Sequence, residues 1–120
     1  MRALILAVLA VGLTGVVLAG GGWSTSHSLA GGTVAVTNDQ ANSSWVPVAV
    51  LIQYAGTCSG TVDVRRVSQG IEVALGSCVF ANVSSAVWVP DAAFWFEFGD
   101  VLVIRSSATN GVAQLMRRGE

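Results

Sequence analysis

The sequence predicts an all-β protein, a small antiparallel β-sandwich of jelly-roll or Greek-key type preceded by one N-terminal hydrophobic helix. Three observations carry this. From Trp45 onward, β-branched and aromatic residues come in short runs, broken by turn residues roughly every 8 to 12 positions. No helical periodicity alternates with those runs, which argues against a parallel α/β sheet. The exception is residues 3–19, ALILAVLAVGLTGVVLA, a run without a single charge.

That run is read as the helix, within a first segment spanning residues 1–22. About 20 apolar residues cross a bilayer, whereas the apolar core of a secretory signal is roughly 7 to 15 long, and this stretch falls between the two. Read as a span, Leu4, Leu6, Leu9, Leu13 and Val17 form the membrane anchor, and Trp23 follows Gly20 to Gly22 at headgroup depth. Arg2 precedes the run and no further basic residue comes before Arg65, which places the N-terminus on the cytoplasmic side and the β domain outside. Read as a signal, Val17 and Ala19 occupy the minus-three and minus-one positions, and cleavage after Ala19 releases a chain beginning at Gly20. The retained anchor is the preferred expectation.

Residues 23–32 read as a flexible linker, and residues 33–120 as the single β domain. Its expected strands are 33–37, 46–55, 60–67, 70–75, 79–89, 93–98, 101–106 and 111–117. The hairpin TVDVRRVSQGIEVALG is expected to pair Val67 with Gly70. That register sets Val62, Val64 and Arg66 against Leu75, Val73 and Ile71 on one face, and Arg65 against Glu72 on the other. A one-residue bulge at Gly60 or Gly76 would bring Cys58 opposite Cys78, so a Cys58 to Cys78 disulfide is expected in an oxidising compartment, with two free thiols as the alternative.

Farther along, Phe94, Phe96 and Phe98 alternate onto one face as an apolar anchor, and Val101 to Ile104 read as a strand buried on both sides. Trp95 and Trp88 then point the other way, either as an interface with other subunits or as core between two sheets. Asn110-Gly111 turns the chain into a last strand, whose terminal pair Arg117 and Arg118 caps an edge or meets an acidic patch.

Chemistry is sparse. All six basic residues are Arg, the net charge is near −1, and only 11% of residues are charged, so no basic stripe exists for nucleic acid. So few charges suit a surface covered by neighbours. His27, the only histidine, has no second ligand beside it, and Asp91, Glu97 and Asp100 lack the alternating spacing of a calcium loop. No nucleophile motif, CxxC or phosphate loop occurs, so no catalytic residue, metal or cofactor is expected.

The stretch from Val87 to Glu120, VWVPDAAFWFEFGDVLVIRSSATNGVAQLMRRGE, resembles the final strands of small β-sandwich accessory proteins of bacteriophage virions, with a Pro-Asp turn, an aromatic strand, a Gly-Asp turn and a terminal strand. The resemblance implies a minor capsid, decoration or tail component. The expected function is therefore a structural or interaction protein of a repeated assembly. Its expected partners are other protein subunits or copies of itself, with a membrane reached through the N-terminal helix. The alternative is a secreted or periplasmic binding module released by cleavage after Ala19.

Overall fold

A computed structural model describes residues 22–119, so the expected helix and its anchor residues Leu4, Leu6, Leu9, Leu13 and Val17 lie outside the described residues. Six strands follow in chain order: β1 Gly22–Ser28, β2 Thr33–Thr37, β3 Trp45–Ser68, β4 Ile71–Trp88, β5 Val101–Ser106 and β6 Gly111–Gly119. Every pairing among them is antiparallel, in the order β1-β6-β3-β5-β2, with β4 on the other side of β3. The fold is thus all-β, as expected.

The organising element is β3, whose 24 residues replace the two separate strands expected at 46–55 and 60–67. Its first part, Trp45 to Tyr54, pairs with β6; its last part, Val62 to Val67, pairs with β5. Between the two, GTCSG was expected to end a strand. Instead β3 bends without reversing, with register shifts on either side of Cys58, and β4 bends alongside it through Asn82, whose φ is 54°. Bulges accommodate this because an unmatched residue raises the local twist while pairing resumes beyond it. The sheet therefore curls, and its two halves face each other.

Inner-face residues of both halves meet in one core. Val50, Ile52, Ala113 and Leu115 from the β6 half lie with Val34, Val36, Val62, Val64, Leu102 and Ile104 from the β5 half, and Phe80, Trp88 and Phe96 close the sides. The run expected to be buried on both sides is largely so, since Leu102, Val103 and Ile104 are all buried. A second, smaller cluster, Ala49, Leu51 and Met116 with Val48 and Val87, occupies the opposite face of the β6 half.

Three expectations are corrected. Residues 22–28 form β1, paired with β6 along its length, and not a flexible linker: Leu29, just beyond its end, is fully buried, and Trp23 packs against the core. Residues 93–98 do not form a strand; only Phe96 bridges, to Trp45, because the Glu97 to Asp100 turn reverses the chain directly afterwards, with Gly99 at φ 92°. Phe98 is consequently exposed while Phe96 is fully buried. In the β3–β4 hairpin, Gln69 and Gly70 both take positive φ, the two-residue turn that matches strand twist, so Ser68 pairs with Ile71 and the register runs two residues later than expected. Near the turn the faces are kept, because a shift of two preserves alternation.

Candidate functional site

At one end of the curled sheet, five side chains stack in a row. The indole of Trp23 on β1 lies 5.1 Å from the guanidinium carbon of Arg117, which is 4.9 Å from the Trp45 ring on its other side. Trp45 stacks on Phe96 at 4.6 Å and 6°, and Arg66 lies 6.0 Å from the Phe96 ring. Alternation brings them together: Arg117 shares an inner face with Ala113 and Leu115 on β6, while Trp23 is directly opposite Arg117 in the β1–β6 ladder. Arg118 points the other way and lies 5.9 Å from the Trp95 ring.

Arg117 is only 8% exposed. Its Nη2 donates to Thr25 Oγ1 at 3.1 Å, while its Nε has no partner among the described residues. The aromatic faces compensate in part, since a desolvated cation–π contact is worth about 2 kcal/mol. Burial lowers the Arg117 pKa, and the negative charge of Asp39 acts against that shift. Thr25 Oγ1 accepts from Arg117 and lies 2.8 Å from His27 Nε2, so the hydroxyl links the guanidinium to the imidazole. Burial, and then Arg117, lower the His27 pKa.

Arg66 donates from Nη1 to the Trp95 carbonyl at 3.3 Å, and its Nε is the other buried atom without a partner among the described residues. Asn38 anchors the same region. Fully buried, its Nδ2 donates to the carbonyls of Ser43 and Phe96, each at 2.9 Å, and its Oδ1 accepts from the Gln40 N–H. Asp100 accepts from Ser68 Oγ at 2.7 Å and from the Glu97 N–H at 2.9 Å, so its carboxylate holds a turn. Among the described residues no group of three His, Cys, Asp or Glu side chains could hold a metal ion. What this end offers is a packed, positively charged aromatic wall.

No protein-family model matches the sequence, and no curated protein matches it. Among solved structures, the chain is similar to the Drosophila NLP-core, whose structure is described as giving insight into pentamer formation and histone binding. The TM-score is 0.51 at 11% identity, over 82% of this chain and 97% of that one. The family 32 carbohydrate-binding module of C. perfringens NanJ, in complex with galactose, aligns with a TM-score of 0.48 at 11% identity, over 82% of this chain and 76% of that one. At such identity the likeness to the NLP-core is one of fold.

The structure separates the residues singled out in the sequence. Trp88 is buried in the core beside Gly76, which gives it the core role and not the interface one. Trp95 is half-buried under Arg118. Trp23, expected at a lipid boundary, is a sheet residue against Arg117 and Gly119. Cys58 and Cys78 are both free, because the register sets Cys58 opposite Val83 and Cys78 opposite Val62. The bulge does form beside Gly76, leaving Leu75 unpaired, but it shifts the register away from a Cys58 to Cys78 pairing. Arg117 caps no edge, since β6 is paired on both sides. Its burial was legible in its parity with Ala113 and Leu115; nothing near Asn38 in the sequence signals its role.

The apolar surface gathers elsewhere. Ile71, Val73 and Val79 are exposed along β4, and Phe98 is exposed on the turn beside the β3–β4 hairpin. On the outer face, Arg65 binds Asp63 at 2.6 Å and Glu72 at 2.9 Å, and Arg105 reaches Glu72 at 3.3 Å. The Arg65 to Glu72 contact expected from the hairpin is therefore made, diagonally.

Proposed function

We propose that the protein works through protein–protein contact, as a structural or interaction subunit of a repeated assembly, and not by catalysis. The observation that carries this is the collection of Ile71, Val73 and Val79 on one edge strand, with Phe98 close to its hairpin end. Across the Leu75 bulge, Ile71 and Val73 lie on one face of β4 and Val79 on the other, so a partner that adds to the free edge of the strand, and not to one face of the sheet, would reach all three. The low charge of the chain supports the same reading. A similarly folded protein is described as forming a pentamer, which is the kind of assembly this reading expects.

The proposed architecture is a Greek-key or jelly-roll sandwich preceded by an N-terminal apolar helix that ends before Gly22, the first residue of β1. The proposed setting is a phage particle, a minor or decoration component fixed by that helix, with the β domain outside; this setting rests on the resemblance of Val87 to Glu120. Sedimentation equilibrium of the full chain tests the contact reading. Masses at multiples of 12.3 kDa are expected, and a stable 12.3 kDa species at all concentrations would overturn it.

A second reading, a secreted or periplasmic module, is favoured by one observation: β1 begins at Gly22, so cleavage after Ala19 would leave every described residue in place. N-terminal sequencing of the natural protein decides between the two, because a start at Gly20 removes the anchored reading.

A further inference from the structure

We infer that a second copy of this chain pairs with β4, edge to edge and antiparallel, about a two-fold axis at Val79; this rests on the contact reading above. Among the described strands, the open edges are β1, β2 and the side of β4 away from β3. The exposed positions of β1 and β2 are Ser26, Ser28, Thr33, Ala35 and Thr37, so neither of those edges carries an exposed large apolar side chain. β4 has 18 residues and contains no Lys, Arg or Pro, and between its irregularities at Leu75 and Asn82 the run Gly76 to Ala81 is free to pair along that edge.

Charge selects the partner. The single carboxylate of β4, Glu72, turns to Arg105 and Arg65 of its own chain, which hold its pKa down. The edge thus presents no free charge to a basic or acidic segment, whereas an identical neutral edge meets it without repulsion. Symmetry then selects the register. Directly opposed side chains in an antiparallel pair share a face, so a two-fold axis at Val79 sets that residue against its own copy, with Ser77 opposite Ala81 and Cys78 opposite Phe80. Val79 is 82% exposed, more than any other large apolar side chain described, and this register covers it. The small Ser77 and Ala81 on either side leave room for the two valines to meet. Such an isologous contact closes on itself and gives a dimer, not a fibre.

The test is cross-linking of the full chain with Cys58 and Cys78 both replaced by Ala. Opposed Cα atoms of an antiparallel pair are about 4.5–5.5 Å apart, within disulfide range. Val79→Cys, oxidised with copper–phenanthroline, should give a reducible band at twice the chain mass; Val112→Cys, on β6 and 46% exposed, should not. In parallel, Val79→Lys should halve the sedimenting mass of a dimer, and its exposed position leaves the core intact. Failure of Val79→Cys to cross-link while the parent chain sediments as a multimer overturns the β4 edge and leaves the contact reading standing. Equal cross-linking at Val112→Cys, or an unchanged mass for Val79→Lys, also overturns it. A monomeric parent chain overturns both.

Discussion

Trp45 and Phe96 are joined twice: their rings stack 4.6 Å apart, and their backbones exchange hydrogen bonds, Phe96 N–H to the Trp45 carbonyl at 2.8 Å and Trp45 N–H to the Phe96 carbonyl at 3.2 Å. A single bridge thereby ties the long 89–100 connection to the first residue of β3. The same pair lies between Arg117 and Arg66, so the closure of the core and the placement of two cations depend on one contact.

Phe96→Ala is expected to cost about 3–5 kcal/mol, the usual range for removing a buried aromatic ring. Urea denaturation should show the midpoint fall. Phe96→Leu, which keeps apolar volume but not the stack, should recover much of that loss, and equal effects of the two variants would show that the stacking geometry matters as much as burial.

Asn38→Asp tests the anchor of the same connection. A carboxylate cannot donate to the Ser43 and Phe96 carbonyls; the Phe96 carbonyl keeps the Trp45 N–H, so the expected cost of about 1–3 kcal/mol falls on the Ser43 carbonyl and on the buried side chain itself. Amide hydrogen exchange should rise around Phe96 and Gly99, because Asn38 also bonds Gly99 and Asp100 through its backbone.

His27 gives the pH dependence. Its folded-state pKa lies below the ordinary value of 6.5, so the unfolded chain binds the proton first as pH falls. Stability is therefore complete above about pH 6.5 and declines as the solution is acidified toward and through the folded-state pKa. Because the chain has one histidine, its imidazole titration by NMR is unambiguous. Arg117→Gln should move that titration upward by removing the repelling charge, and an unshifted curve would contradict the Arg117 to Thr25 to His27 arrangement.

Gly76→Ala should destabilise by about 1–3 kcal/mol, as overpacking does. A Cβ there would run into Trp88 Nε1, and the indole is held in the core on its other sides. Loss of the near-ultraviolet tryptophan signal should accompany the fall in melting temperature. Gly70→Ala, with open space around the position but φ of 80°, should cost less and leave the tryptophan signal unchanged.

Alternation, turn residues and composition determined much of residues 22–119 from the sequence alone: their all-strand architecture, the limits of β2 and β5, the position of the β3–β4 turn, the buried run at 102–104 and the Arg65 to Glu72 contact. These are local properties, fixed by period-two patterning and backbone preference within a few residues. The tertiary structure decided the rest. It turned GTCSG into a bend inside one long strand, because β3 stays paired with β4 on both sides of the segment and through Cys58 and Gly60 within it. It drew residues 22–28 into the sheet against β6, separated Cys58 from Cys78 through bulges, and buried Arg117 between tryptophans from two other strands. Each of those outcomes depends on partners distant in the chain; the parity of Arg117 with Ala113 and Leu115 gives its inward face, but not the two tryptophans that enclose it.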